Sequence, residues 1–301
     1  MKKIQLKNKT INNLVGWGFA LPAMLGFLVF NLVPMLMSGY YSLCNYTLLG
    51  KPEFIGVKNF IALLSGKNGA FWVTARATVL YAIMAVPANL AFAFFIAVLL
   101  NREMKGRAFF RSLFYLPCII PAVASSFVWI LLTNPDFGLF NTILRFLHLP
   151  TSMFFWGKGS VLPTIVFMGI WSTGSTQVIF LAGLQDIPKM YYEALEIDGG
   201  NAWQKFWHIT VPMVSPTMFF NLIMGIIGAL QVFGQAYIIT SGGPNNASLF
   251  YVYELWRQAF KYMDMGTASA MAWILFLVVL VLTAIVFKTS NKWVYYEGGE
   301  E

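Results

Sequence analysis

The sequence predicts an all-α membrane protein with six transmembrane helices and both termini in the cytoplasm. Three observations carry that prediction. The 301 residues are 58% hydrophobic and 11% charged, with a positive mean hydropathy of +0.67, far from soluble usage. Uncharged runs long enough to cross a hydrocarbon core about 30 Å thick, which takes roughly 20 apolar residues, recur along the chain. The basic residues fall mainly in alternate segments between those runs, as expected if translocating Lys or Arg is disfavoured.

The uncharged stretch Leu14 to Gly50 holds the first span, at about Leu14 to Met37. The second runs about Ala77 to Leu100, the third about Ser112 to Leu132 and the fourth about Val161 to Leu184. Ile209 to Tyr253 is uncharged too, but Ser241-Gly242-Gly243-Pro244-Asn245-Asn246 is turn chemistry. The fifth span therefore ends near Thr240 and an outer loop follows. The sixth runs about Ser269 to Phe287.

With the N-terminus inside, the cytoplasm receives Lys2, Lys3, Lys7 and Lys9, then Arg102, Lys105, Arg107 and Arg111, then Lys189 and Lys205, then Lys288 and Lys292. The outer loops keep Lys51, Lys58, Lys67, Arg76, Arg145, Lys158, Arg257 and Lys261. The chain divides into a cytoplasmic segment, residues 1–13, a six-helix domain, residues 14–288, and a cytoplasmic tail, residues 289–301. The net charge of +8 reflects this topology rather than nucleic-acid binding. The first apolar run is too long for a cleaved signal and contains Pro22, Asn31 and Pro34, so a retained span is the simpler reading. Cys44, near the outer surface, and Cys118, inside the third span, are unsuited to a disulfide with each other and serve as small apolar filler.

Between the fourth and fifth spans lies a cytoplasmic loop, residues 185–212, that reads as two short helices joined at glycine. From Pro188 to Asp198 the residues are mostly good helix formers, with Pro188 at the start and Gly199-Gly200 at the stop. Asn201 is suited to cap a second helix, with Gln204 three residues on in a capping-box arrangement. Trp203, Phe206 and Trp207 make one apolar stripe, and Thr210 to Pro212 returns the chain to the membrane.

Within this loop Glu193-Ala194-Leu195, Gly199 and Ile209-Thr210-Val211-Pro212 keep the spacing of the EAA loop of ABC-importer permeases, which the segment resembles. Leu195 stands where that family usually has Ala, and Val211 where it has Leu. Phe54-Ile55-Gly56-Val57-Lys58-Asn59-Phe60, Phe109-Phe110-Arg111-Ser112 with Leu116-Pro117, and Asp136-Phe137-Gly138 with Asn141 look like segments of the carbohydrate-type permeases. Leu184-Gln185-Asp186-Ile187-Pro188 and Ser241-Gly242-Gly243-Pro244 look like further ones. That group includes the maltose and sn-glycerol-3-phosphate permeases, and the match covers nearly the whole chain. Gly-Gly-Pro points to the first of the two permease types that such importers pair.

The resemblance implies a type I ABC-importer permease fold in a bacterial or archaeal cytoplasmic membrane. It implies a second homologous permease, two ATPase subunits and an extracytoplasmic solute-binding protein as partners. It also implies that Glu193, Ala194, Asp198, Gly199, Ile209 and Pro212 dock the ATPase. An exposed carboxylate can meet an Arg on a partner, and a Gly lets the backbone turn sharply at the contact. The alternative is a solvated amphipathic connector with no partner.

No energy source is expected in the chain itself. A Walker loop ends in Gly-Lys-Ser or Gly-Lys-Thr, whereas the Gly-Lys pairs here are followed by Pro52, Asn68 and Gly159. ATP and Mg would be bound by the separate ATPase, with no cofactor in this chain. Only His148 and His208 are available, so neither a His-rich metal site nor a His-based triad can be assembled. An ion-coupled carrier would place charges at mid-membrane depth, and the spans have none; Arg76 and Arg111 sit at span ends as anchors.

A neutral polyhydroxylated ligand, a sugar, is the natural guest of uncharged spans. Trp171, Ser172, Ser175, Thr176 and Gln177 of the fourth span and Asn221, Gly225, Gly228, Gln231 and Gln235 of the fifth are candidate contacts. Trp171, Ser172, Ser175, Gly228, Gln231 and Gln235 are the foremost of these. The competing reading is that small and polar residues in spans pack helices together. The sequence leaves open glycerol phosphate or a polyol as cargo, and a subunit that docks an ATPase without conducting anything.

Overall fold

The computed structural model describes residues 2–66 and 69–295. The outer-loop position expected for Lys67, and the end of the tail beyond residue 295, lie outside the described residues. The chain forms two compact units, one of Met1–Lys67 with Arg257–Ile274, the other of Asn68–Trp256 with Leu275–Glu301.

In the first unit, α1 (Lys2–Phe27) passes through a π-turn, Leu28–Leu32, into α2 (Val33–Ser42), which follows Pro34 into a regular register. The strands β1 (Cys44–Asn45) and β2 (Glu53–Phe54) pair antiparallel, Cys44 opposite Phe54. Helix α3 (Lys58–Leu64) follows β2. Asn59 explains its own place in the sequence, since its amide donates to the carbonyls of both Ser42 and Cys44 at 2.9 Å and ties α3 to the end of α2. Cys44 is fully buried in this corner, and both cysteines are free thiols.

The second unit opens with α4 (Ala70–Asn101), which continues past Pro87 and packs most heavily on the later helices. The third expected span is two helices, α5 (Arg107–Ile119) and α6 (Ala122–Leu132), bent by 100°. Pro121 is the cause: it drives Ile120 into extended backbone and supplies no N–H to continue the ladder. In α7 (Leu139–Phe146), Asn141 donates to Pro135 and Ser152 carbonyls and accepts from the Ser152 amide, a buried carboxamide with a structural duty.

The fourth span is also broken, into α8 (Val161–Trp171) and α9 (Gly174–Gln185) at 50°. Ser172 and Thr173 donate their hydroxyls to the carbonyls of Gly169 and Ile170, at 3.1 and 2.9 Å, competing with the backbone ladder at the break. Then come α10 (Lys189–Ile197), α11 (Ala202–Lys205) and α12 (Val211–Leu230). The second loop helix was expected to be short. Instead α11 runs through a π-turn, Phe206–Thr210, into α12 as one apolar helix, Ala202–Leu230. Pro212 lacks the N–H that a regular turn would need there, and the register widens just ahead of it.

The fifth span does not run whole to Thr240. It stops at Leu230, unwinds at Gln231–Phe233 and resumes in a turn ending in the π-turn Ala236–Thr240. The amide of Tyr251, at the head of α13 (Tyr251–Trp256), donates to the buried Thr78 hydroxyl at 2.8 Å. Helix α14 (Met265–Ser290) is the last span. Residues of the expected tail pack on α12: the Tyr295 amide donates to Ser215, and Trp293 lies against Phe219. Among the described residues four helices are long and apolar enough to cross a membrane, or six if each bent pair is one span.

Candidate functional site

The α8–α9 break and the unwound stretch after α12 face the same cavity, about 460 Å³ in volume. Tyr81, Ala85, Val86, Asn89 and Leu90 line it from α4; Gly169, Ser172, Thr173 and Thr176 line it from around the α8–α9 break. The α12 side gives Asn221, Gly225, Gly228 and Ala229, followed by the unwound Gln231, Val232 and Phe233 with Gly234 and Gln235. Irregular backbone at membrane depth is tolerable where it lines such a space. No charged side chain lines it.

The structure thus brings Ser172, Gly228, Gln231 and Gln235 together, with Thr176, Asn221 and Gly225. It does not bring Trp171 or Ser175 there. Trp171 stacks edge-on against Trp129 with ring centroids 5.9 Å apart, and Ser175 is exposed elsewhere on α9. Gln177 is buried and donates to Thr173 at 2.9 Å. Sequence reasoning missed Asn89, having searched only the fourth and fifth spans. A carboxamide two residues after Pro87 in an otherwise apolar run was the available signal.

Asn89 and Asn221 each bring an unmatched carboxamide atom to this lining. Asn221 is 4% exposed, yet its amide nitrogen has no partner, and the Asn89 carboxamide oxygen is likewise buried and unmatched. A buried donor or acceptor left unpaired costs about 1–3 kcal/mol. One wall therefore holds a buried unmatched donor and another a buried unmatched acceptor.

The second candidate surface is the helical hairpin of α10 and α11. α10 ends in a Schellman motif: Gly200 N–H donates to Leu195 at 2.8 Å and Gly199 N–H to Glu196 at 3.1 Å, with Gly199 at φ +78°. Asn201 then closes a capping box with Gln204, the two reciprocal bonds at 2.9 and 2.8 Å. Lys205 reaches back to Glu196 at 2.9 Å, and its ammonium holds that carboxyl below its ordinary value. Tyr192 and Thr210 share a hydrogen bond of 3.0 Å.

The hairpin has two faces. Ile187, Tyr191, Tyr192 and Leu195 pack inward with Ala93, Ala97, Phe180 and Val214. Met190, Glu193, Ala194 and Ile197 lie outward, Ile197 at 86% exposed, and Trp203 on α11 is 69% exposed. Asp198 and Gly199 are exposed at the turn, whereas Ile209 is buried and Pro212 half-buried in the root of the hairpin. Phe206 keeps the expected stripe, with the Trp203 and Trp207 rings 6.3 and 5.2 Å away, and also meets Phe94 at 6.0 Å. No cluster of three His, Cys, Asp or Glu able to hold a metal occurs among the described residues.

Broken apolar helices around an uncharged polar cavity define a multi-pass membrane permease. The chain belongs to the family described as the binding-protein-dependent transport system inner membrane component, whose model matches residues 89–290. It is 41% identical over 305 residues to the probable ABC transporter permease protein YesP of Bacillus subtilis, covering 100% of this chain and 97% of the relative. It is 32% identical over 282 residues to the trehalose/maltose transport system permease protein MalF of Thermococcus litoralis, covering 92% and 94%. A chain of a bacterial alginate ABC transporter, solved with a pentasaccharide-bound periplasmic protein, shares the fold with a TM-score of 0.83 at 20% identity, over 96% of this chain and 98% of that one.

Proposed function

We propose that this permease carries a sugar, an oligosaccharide in particular, across the cytoplasmic membrane by alternating access. The observation that carries the reading is the uncharged cavity with unpaired amide groups on Asn89 and Asn221 and the aromatic rings of Tyr81 and Phe233. Hydroxyl groups can both donate and accept, and sugar faces stack on rings. The trehalose/maltose relative agrees with that substrate class. Ser172, Gly228, Gln231 and Gln235 complete the contact set, and Trp171 and Ser175 act through packing and surface instead.

The hairpin faces the cytoplasm, and its outward side, with Glu193, Ala194, Asp198 and Gly199, seats in one of two ATPase subunits. Those subunits bind ATP and Mg. Ile209 and Pro212 anchor the hairpin. A second homologous permease completes the pathway, and an extracytoplasmic solute-binding protein delivers the ligand, as the family description supports.

The test is labelled-sugar uptake and substrate-stimulated ATP hydrolysis by the complete importer in liposomes. Uptake from a panel of neutral oligosaccharides, lost on Asn221→Leu with the complex intact, is the expected result. Uptake indifferent to both Asn221→Leu and Asn89→Leu would sink the cavity assignment.

A further inference from the structure

We propose that Arg107, Arg111 and Gln185 form a pocket for the phosphate group of an anionic lipid. A second cavity, about 390 Å³, lies beside α5 and α9 and is lined by Arg111, Tyr115, Val178 and Gln185 among others. Arg107 and Arg111 stand one turn apart at the start of α5. With the Gln185 carboxamide turned oxygen-first, both guanidinium groups donate to that one oxygen, at 2.9 and 2.7 Å. Arg111 reaches the Leu100 carbonyl only at 3.5 Å. Among the described residues the ion pair is Lys205 with Glu196, so neither arginine has a carboxylate, and the Nε atoms of both are buried without a partner.

Two guanidinium groups sharing one neutral oxygen leave donors and positive charge uncompensated. A phosphate supplies several acceptor oxygens and the missing charge in the geometry that guanidinium groups match. The α5 N-terminus adds the positive end of a helix dipole. Lipid is favoured over free phosphate because Tyr115 and Val178 of the cavity wall, and Ile119 further along α5, are exposed apolar surface on which an acyl chain can lie. The pocket also sits at the end of an apolar helix pair, where headgroups lie.

The test uses the full chain in the complex it forms in its native membrane, stripped of lipid and offered labelled phosphatidylglycerol, phosphatidylcholine or inorganic phosphate. Expected is retention of phosphatidylglycerol over phosphatidylcholine by about tenfold, undisturbed by inorganic phosphate. Gln185→Glu places a carboxylate between the two guanidinium groups, so it is expected to expel the lipid while thermal stability holds or rises. Arg107→Gln with Arg111→Gln is expected to lose the same retention. Equal retention of both lipids, or undiminished phosphatidylglycerol on Gln185→Glu, overturns the proposal. Displacement by inorganic phosphate assigns a free-anion site and overturns the lipid.

Discussion

Leu195 lies directly over Gly200: a Cβ on Gly200 would come within 2.5 Å of Leu195 Cγ and 2.8 Å of its carbonyl oxygen. The larger side chain at position 195 is therefore matched to a glycine five residues on. Gly200→Ala is expected to loosen the α10–α11 hairpin by about 1–3 kcal/mol, as overpacking does. Hydrogen exchange across residues 189–205 reads it. Adding Leu195→Ala should restore part of the protection, because the carbonyl clash remains. Full protection in the single variant would disprove the close packing.

Gly199 has open space around it but φ +78°, so its restriction is conformational. Gly199→Asp and Glu193→Lys are each expected to abolish uptake in liposomes while the chain still inserts and pairs with its partner permease. Survival of uptake in both variants would refute the docking role of the outward face.

The cavity amides predict opposite effects on affinity and stability. Asn221→Leu removes an unpaired buried donor, so melting temperature should stay level or rise, while the apparent KM for sugar climbs about tenfold for each 1.4 kcal/mol of lost contact. A falling melting temperature with unchanged KM would make Asn221 a packing residue.

Thr78 accepts from the Tyr251 amide in a buried setting. Thr78→Val removes that acceptor, which is expected to cost about 1–3 kcal/mol. Thermal unfolding of the purified complex checks it, and an unchanged transition would contradict the assignment.

Glu196 predicts a pH dependence with a defined sign. Lys205 lowers its carboxyl below the ordinary 4.5, so the ion pair's contribution is complete above that pH and fades as pH falls through the lowered value. Both groups being accessible to solvent, salt should weaken it as well. Exchange protection of the hairpin should thus be flat above about pH 5 and drop on acidification, and Glu196→Gln should remove that component. An identical acid profile in Glu196→Gln would show that the pair plays no part.

The number of apolar segments and the hairpin with its glycine stop and capping box were legible in the sequence, since each depends on local composition or on neighbours within a few residues. The bends were not. Hydropathy records that Arg107–Ile119 and Ala122–Leu132 are both apolar but says nothing of their direction, although Pro121 marks the corner. The chain unwinds at Gln231–Phe233, so Gln231 and Gln235 do not sit on one continuous helix. Asn89 became meaningful only when three separate segments met around a common void.

The continuous helix from Ala202 to Leu230 has 29 residues and hence a length of about 43 Å. One end carries the exposed Trp203 and the other ends beside Gln231. In the proposed importer, force and binding act on opposite tips of a single lever arm that contains the widened turn at Phe206–Thr210. Substitutions in that turn should change how many ATP molecules are spent per molecule carried, without altering affinity for either the nucleotide or the cargo.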